Sequence, residues 1–428
     1  MPLPAPRISR SKVSQTLRAL RHRNYRLFFF GQGISLVGTW LQQLALPWLS
    51  YKLTGSSLQL GTVGFLTLFP HLLFGPVAGV LGDRFNRKRV VIITQTLAML
   101  QAFVLAALTL SGMIQMWHVY LLSLILGCVA AFDLPIRQAL MFDLIDSKQD
   151  IGNAVALNST LVNLARTIGP AIAGVMIGMS DGETGVCFLL NAASFVAVLI
   201  SLIMIQIPPH THARHHEPVL QALREGFRYT FDFQPNRLVL LQVALSSITA
   251  MSFTVLMPVF ADQIGHGDAN VLGILMAAAG LGALMGSIHL AAQPSTRGLI
   301  RLLPVGAMVS GVSMILFAAT DSLWLCAILR LTTSAGVLIQ MAASNTILHT
   351  IAGDHHRSRV MAIYSMAFAG MAPFGSLLGG WMAHHTSPRL TIVVAGIATI
   401  LITIHFLIRL PDMQAQLAER HDRSHPQS

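Results

Sequence analysis

Between Val90 and Phe132 the chain contains no Asp, Glu, Lys or Arg. That stretch is too long for one membrane crossing of roughly 20 residues, and it divides naturally at Ser111-Gly112 into two. The same division applied throughout gives about twelve spans, most of roughly 20 to 25 residues. With 54% hydrophobic and 11% charged residues and a mean hydropathy of +0.64, the chain cannot cover a water-soluble surface of its size. These features predict an all-α integral membrane protein.

A net charge of +11 invites a nucleic-acid partner, so the placement of the charge decides the matter. Of the 28 lysines and arginines, all but Lys52, Arg166, Arg330 and Arg389 fall before the first span, in alternate loops or at the C-terminal end. The opposite loops carry Asp181, Glu183, Asp262, Asp268 and Asp321. Lys and Arg are retained on the cytoplasmic side, so both termini are predicted to be cytoplasmic. The basicity is topological, and its partner is a lipid bilayer rather than nucleic acid. The first apolar run is span-length without a small-residue cleavage site, and reads as a retained helix. Cys128, Cys187 and Cys326 lie inside apolar spans without metal spacing and read as packing residues; no metal or cofactor is expected.

The chain divides into a basic lead (1–26), a six-helix half (27–207), a linker (208–237), a second six-helix half (238–410) and a cytoplasmic tail (411–428). Leu17, Leu20 and Tyr25 give the lead an apolar side suited to an anionic leaflet. The linker begins polar and His-rich (His210, His212, His215, His216), then places Val219, Leu220, Leu223, Phe227 and Phe231 at helical spacing, an interfacial amphipathic helix. An ungapped shift by 206 positions aligns Ala156 with Ala362, Gly169 with Gly375 and Gly174 with Gly380. Such self-similarity points to two parallel halves, an arrangement of transporters with a midplane site.

The stretch Gly75 to Arg89 reads GPVAGVLGDRFNRKR. Its spacing of Gly79, Asp83, Arg84, Arg87 and Lys88 resembles the loop signature of the major facilitator superfamily. Asn86 stands where the family usually has Gly, a mild departure because Asn tolerates a left-handed backbone. Phe132-Asp133-Leu134-Pro135-Ile136-Arg137-Gln138-Ala139, then Asn153-Ala154-x-Ala156-Leu157-Asn158 and Gly169-Pro170, resemble the branch of enterobactin exporters and macrolide efflux proteins. His22 to Leu27 and Leu53-Thr54-Gly55-Ser56 look like it too, so the resemblance covers essentially the whole chain. It implies the major facilitator fold and a proton-coupled exporter of a siderophore, antibiotic or drug, acting as a monomer in a bacterial inner membrane. It also implies a cytoplasmic gate at Gly79, Asp83, Arg84, Arg87 and Lys88; Asp143, at the end of the fourth span, is expected to join that charge cluster. The alternatives are an importer of a nutrient or lysolipid, or a non-transporting scaffold or sensor. No nucleotide loop or nucleophile–base pair suggests an enzyme.

Charges at membrane depth are costly unless paired or facing water. Asp133 and Arg137 stand four apart across Pro135, so either they satisfy each other or Asp133 carries a coupling proton. Arg166 and Arg330 are isolated cations that an acidic or phenolic substrate would explain, as would a buried carbonyl or carboxylate. Gln32, Gln43, Asn158 and Asn345 could contact substrate or bond other helices. Gly169, Pro170 and Gly174, with Gly375, Gly379 and Gly380 in the second half, predict close helix seams.

Overall fold

The computed structural model describes residues 17–180, 182–206, 228–291, 296–352 and 357–424. The first half comprises α1 (Arg23–Thr54), α2 (Ser57–Arg84), α3 (Arg87–Leu110), α4 (Met116–Asp143), α5 (Ile151–Met179) and α6 (Gly185–Met204). The second comprises α7 (Gln234–Val255), α8 (Met257–Gly265), α9 (Ala269–Ala291), α10 (Thr296–Ala318), α11 (Leu323–Ile351), α12 (Arg357–Ala369), α13 (Ala372–His385) and α14 (Pro388–Ser424). Among the described residues, eleven segments are long and apolar enough to cross a membrane. The remaining long helix, α1, spans 32 residues and turns Gln32, Ser35 and Gln42 into the protein interior. The described residues are all helical with about twelve crossings; an even number of crossings puts the start of α1 and the end of α14 at one face, called the terminal face, opposite a distal face.

Local chemistry explains most breaks. Gly55, at φ 63°, ends α1 with its N–H donating to the Tyr51 carbonyl, a left-handed cap that suits glycine. The seventh crossing is divided between α7 and α8 just before Pro258, and the eleventh between α12 and α13 just before Pro373. Proline lacks the N–H for a helical bond and its ring crowds the carbonyl a turn earlier.

Several expectations need correction. Asn86 sits at φ −64°, not left-handed, and caps α3 by accepting the Arg89 N–H at 3.1 Å. Tyr25 belongs to α1 and is fully buried, its hydroxyl donating to the Ala154 carbonyl at 2.9 Å, so it is a core residue. The described part of the lead packs beside the start of α5, where Ala19 N donates to Asn153 Oδ1 at 2.9 Å and Arg18 pairs with Asp150, while Leu17 stays exposed. The last helix runs on through Ser424, past the predicted boundary at 410. The linker's histidines, and its amphipathic helix apart from residues 228–231, lie outside the described residues.

The buried core is arranged in three clusters. One belongs to the first half alone, around Tyr25, Val91, Leu140, Phe195 and Leu202, near the terminal face. One belongs to the second half alone, around Leu238, Leu303, Ile347, Val360 and Phe406, also near that face. The third lies distally and draws on both halves, joining Trp48, Ile177 and Phe188 to Phe253, Phe260, Leu272 and Phe317. Among the described residues, the halves therefore share one buried apolar cluster at the distal end, and the buried clusters near the terminal end each belong to one half.

Candidate functional site

The distal junction is made by bare backbone. A Cβ at Gly174 of α5 would lie 2.7 Å from the Cα of Gly273 on α9, and one at Gly380 of α13 would lie 2.7 Å from the Cα of Gly61 on α2. No real side chain tolerates such contacts, so glycine is required at both. Gly174 and Gly380 are the pair aligned by the internal repeat, and the structure places them on two matching seams between the halves. Ser376 Oγ donates to the Gly61 carbonyl at 3.2 Å, and Lys52 Nζ bonds Asp262 Oδ1 at 2.7 Å across the distal mouth. The other small residues serve neighbouring helices: Gly169 and Pro170 are buried, with Gly169 against Trp40 of α1, while Gly375 and Gly379 pack against Ile248 and Ser252 of α7.

Inward of the seams lie the two isolated arginines, one from each half. The Arg166 guanidinium stands 5.0 Å from the ring centre of Trp40, and that of Arg330 stands 4.8 Å from the ring centre of Phe253. Each cation–π contact stabilises by about 0.5–2 kcal/mol. Arg330 is 6% exposed and donates to Thr254 Oγ1 at 3.3 Å, yet its Nε, like that of Arg166, is buried without a partner. The backbone at Arg166 touches Gly280 of α9, which puts this residue at the junction of the halves. Phe253 was not legible in the sequence, because a single phenylalanine in an apolar helix carries no signal of its own.

Asp133 is differently placed. It is 6% exposed and accepts from Thr94 Oγ1 at 2.7 Å, Gln95 Nε2 at 2.8 Å and Arg137 Nε at 2.8 Å. The carboxylate thus ties α3 to α4, with Arg137 held on Oδ2. At the terminal end of the first half, Arg87 reaches both oxygens of Asp143 at 3.0 Å, joining α3 to α4 again. Lys88 Nζ donates to the carbonyl of Ile205 at 2.6 Å, where a cation meets the negative end of α6. For Gly79, Asp83 and Arg84 only the helical backbone is described, so the side chains of that part of the gating motif lie outside the described residues.

Of the amides, Gln32 is buried and Gln43 is exposed one turn beyond Trp40. Asn158 is half-buried on α5, and Asn345 is half-buried on α11 against Tyr364. A chain of interhelical amides runs through the first half, Asn191 donating to Gln42 at 2.7 Å and Gln42 to Gln101 at 3.0 Å, and of these sequence reasoning missed Gln101. It also missed the distal Lys52–Asp262 pair, whose residues are 210 apart in the chain.

Residues 14–428 match the model of a family described as transmembrane secretion effector. The staphyloferrin A transporter of Staphylococcus aureus is 27% identical over 404 residues, covering 92% of this chain and 98% of its own. The multidrug efflux pump Tap of Mycolicibacterium fortuitum is 25% identical, covering 90% and 93%. Macrolide efflux protein A of Streptococcus pyogenes is 22% identical, covering 69% and 73%. Among solved structures, a bacterial homologue of the iron transporter ferroportin, in an inward-facing state, superimposes with a TM-score of 0.70 at 15% identity, covering 90% of this chain and 98% of that one. With a shared all-helical fold and a family match across nearly its whole length, the chain belongs to the transmembrane secretion effector family and is a multi-pass membrane transporter of the major facilitator type, not an enzyme.

Proposed function

We propose that the protein is a secondary active exporter of a small amphiphilic compound, of the siderophore or drug kind, working by alternating access. It acts as a monomer in a bacterial cytoplasmic membrane, with both termini in the cytoplasm and protons as the coupling ion. The observation that carries this reading is the distribution of the core. One apolar cluster is shared by both halves distally, whereas each half keeps its own cluster at the terminal face. Halves that keep buried clusters of their own at one end and share one at the other can rock about the shared cluster without exposing their own cores. The relatives named as siderophore, multidrug and macrolide transporters support the cargo class, and the basic terminal face supports the orientation. Separation at that face is then the state that loads cargo from the cytoplasm.

Inverted membrane vesicles test the proposal. An imposed proton gradient, acid inside, should drive accumulation of at least one compound from a panel of macrolides and siderophores, and collapsing the gradient should release it. Accumulation that ignores the gradient removes proton coupling. Efflux from such vesicles in place of uptake reverses the direction and favours an importer. Asp133→Asn in the same assay asks whether coupling uses that carboxylate: unaltered gradient dependence leaves it a structural tie alone.

A further inference from the structure

We propose that Arg166 and Arg330 form a two-sided clamp for a small organic anion bearing at least two acidic groups, one guanidinium contributed by each half. The inference deepens the exporter reading and rests on it. It begins from an imbalance: among the described residues neither arginine has a carboxylate partner, although nine ion pairs are formed elsewhere. Both keep an unpartnered buried Nε, and one stretch of α9 packs against both neighbourhoods, Gly280 on the Arg166 backbone and Gly282 on that of Leu331, next to Arg330. Two like charges held inside a membrane protein without counter-charge are costly, and an anionic guest removes that cost. The guanidinium fork offers paired donors to a carboxylate, a geometry that a lone lysine would not supply. The rings of Trp40 and Phe253, one beneath each guanidinium, fix the planes of the forks and add apolar surface for the carbon skeleton of the guest. Because Arg166 belongs to the first half and Arg330 to the second, a guest with two acidic groups bridges them, and one with a single acidic group satisfies only one. The clamp selects against permanent cations.

The full chain, purified in detergent, is titrated with citrate and succinate, and with acetate and tetraphenylphosphonium as contrasts, at matched ionic strength. Tryptophan fluorescence reports on Trp40, and thermal unfolding gives a second measure. Citrate or succinate should raise the unfolding midpoint, while acetate and tetraphenylphosphonium should leave it in place. Arg166→Gln and Arg330→Gln should each weaken the dianion by about tenfold or more, the loss of a charge-assisted pair. Arg166→Lys should fall between wild type and Arg166→Gln. The anion-free Gln variants should unfold at or above the wild-type temperature, since one of two repelling charges is gone. A lower midpoint would assign the arginines to structure and overturn the clamp. So would equal binding of citrate by wild type and both Gln variants, or preference for tetraphenylphosphonium. The two readings fail separately: dianion binding without transport of any panel compound counts against export alone, whereas macrolide export with no dianion effect counts against the clamp alone.

Discussion

At Asp133 three donors from two helices converge on one carboxylate, and its removal should be felt in stability before it is felt in transport. Asp133→Asn leaves Arg137 as an uncompensated buried charge, a cost of about 3–5 kcal/mol for a broken buried pair. The variant should unfold several degrees earlier in detergent, and Arg137→Gln added to it should restore much of the loss. If the double variant is as unstable as the single, the charge balance is not what matters. The Asp133–Arg137 pair was legible from spacing alone, because residues four apart share a helical face. Thr94 and Gln95 were not, since nothing local announces which face of α3 meets α4 across 39 residues of chain. His22 repeats the lesson over a longer distance. Its ring bonds Asp150 at 2.9 Å and Asp146 at 3.3 Å, with Arg18 pairing to Asp150 alongside. The bond to Asp150 raises the His22 pKa above its usual 6.5, burial opposes this, and Asp146 adds to the rise. A raised folded-state pKa means that this stabilisation is fully present below about pH 6.5 and is lost as pH climbs through the raised value. Hydrogen exchange at the Ala19 amide should therefore accelerate, beyond its intrinsic pH dependence, as pH passes upward through that window. His22→Gln should abolish the excess, and an excess that survives the substitution refutes the link.

The elements were read with unequal success, for physical reasons. Crossings with strong apolar runs were legible to within a few residues, because lipid demands length and apolarity and little else. The breaks before Pro258 and Pro373 follow from proline, yet the hydropathy of those crossings hides them. The repeat marked Gly174 and Gly380 as related, but not their partners Gly273 and Gly61, since a repeat tells which positions are equivalent and not which surfaces meet. Seam contacts set a sharp expectation for α13. Gly380→Val places three carbons where the Cα of Gly61 must lie, so α2 and α13 cannot close. The protein should fold, because the cores of the separate halves are untouched, while reagent access from the distal side to a cysteine introduced at Ser57, buried in that seam, should rise. Unchanged access would mean that the seam is not what shuts that face.

For the whole molecule, composition and the internal repeat sufficed to point to a two-part helical bundle in a membrane. The sequence was silent on which end the halves would share. A chain that must be stable in more than one arrangement encodes none of them exclusively, and the choice among them turns on a few kcal/mol. The glycine seams also carry a mechanical consequence. From Gly174 to the start of α5 at Ile151 is a rigid arm of roughly 35 Å at 1.5 Å per residue. A tilt of about 10° at the distal fulcrum then swings the far tip of that arm through about 6 Å. Leverage of this kind converts a fit settled in tenths of an ångström at one face into an aperture of several ångströms at the other.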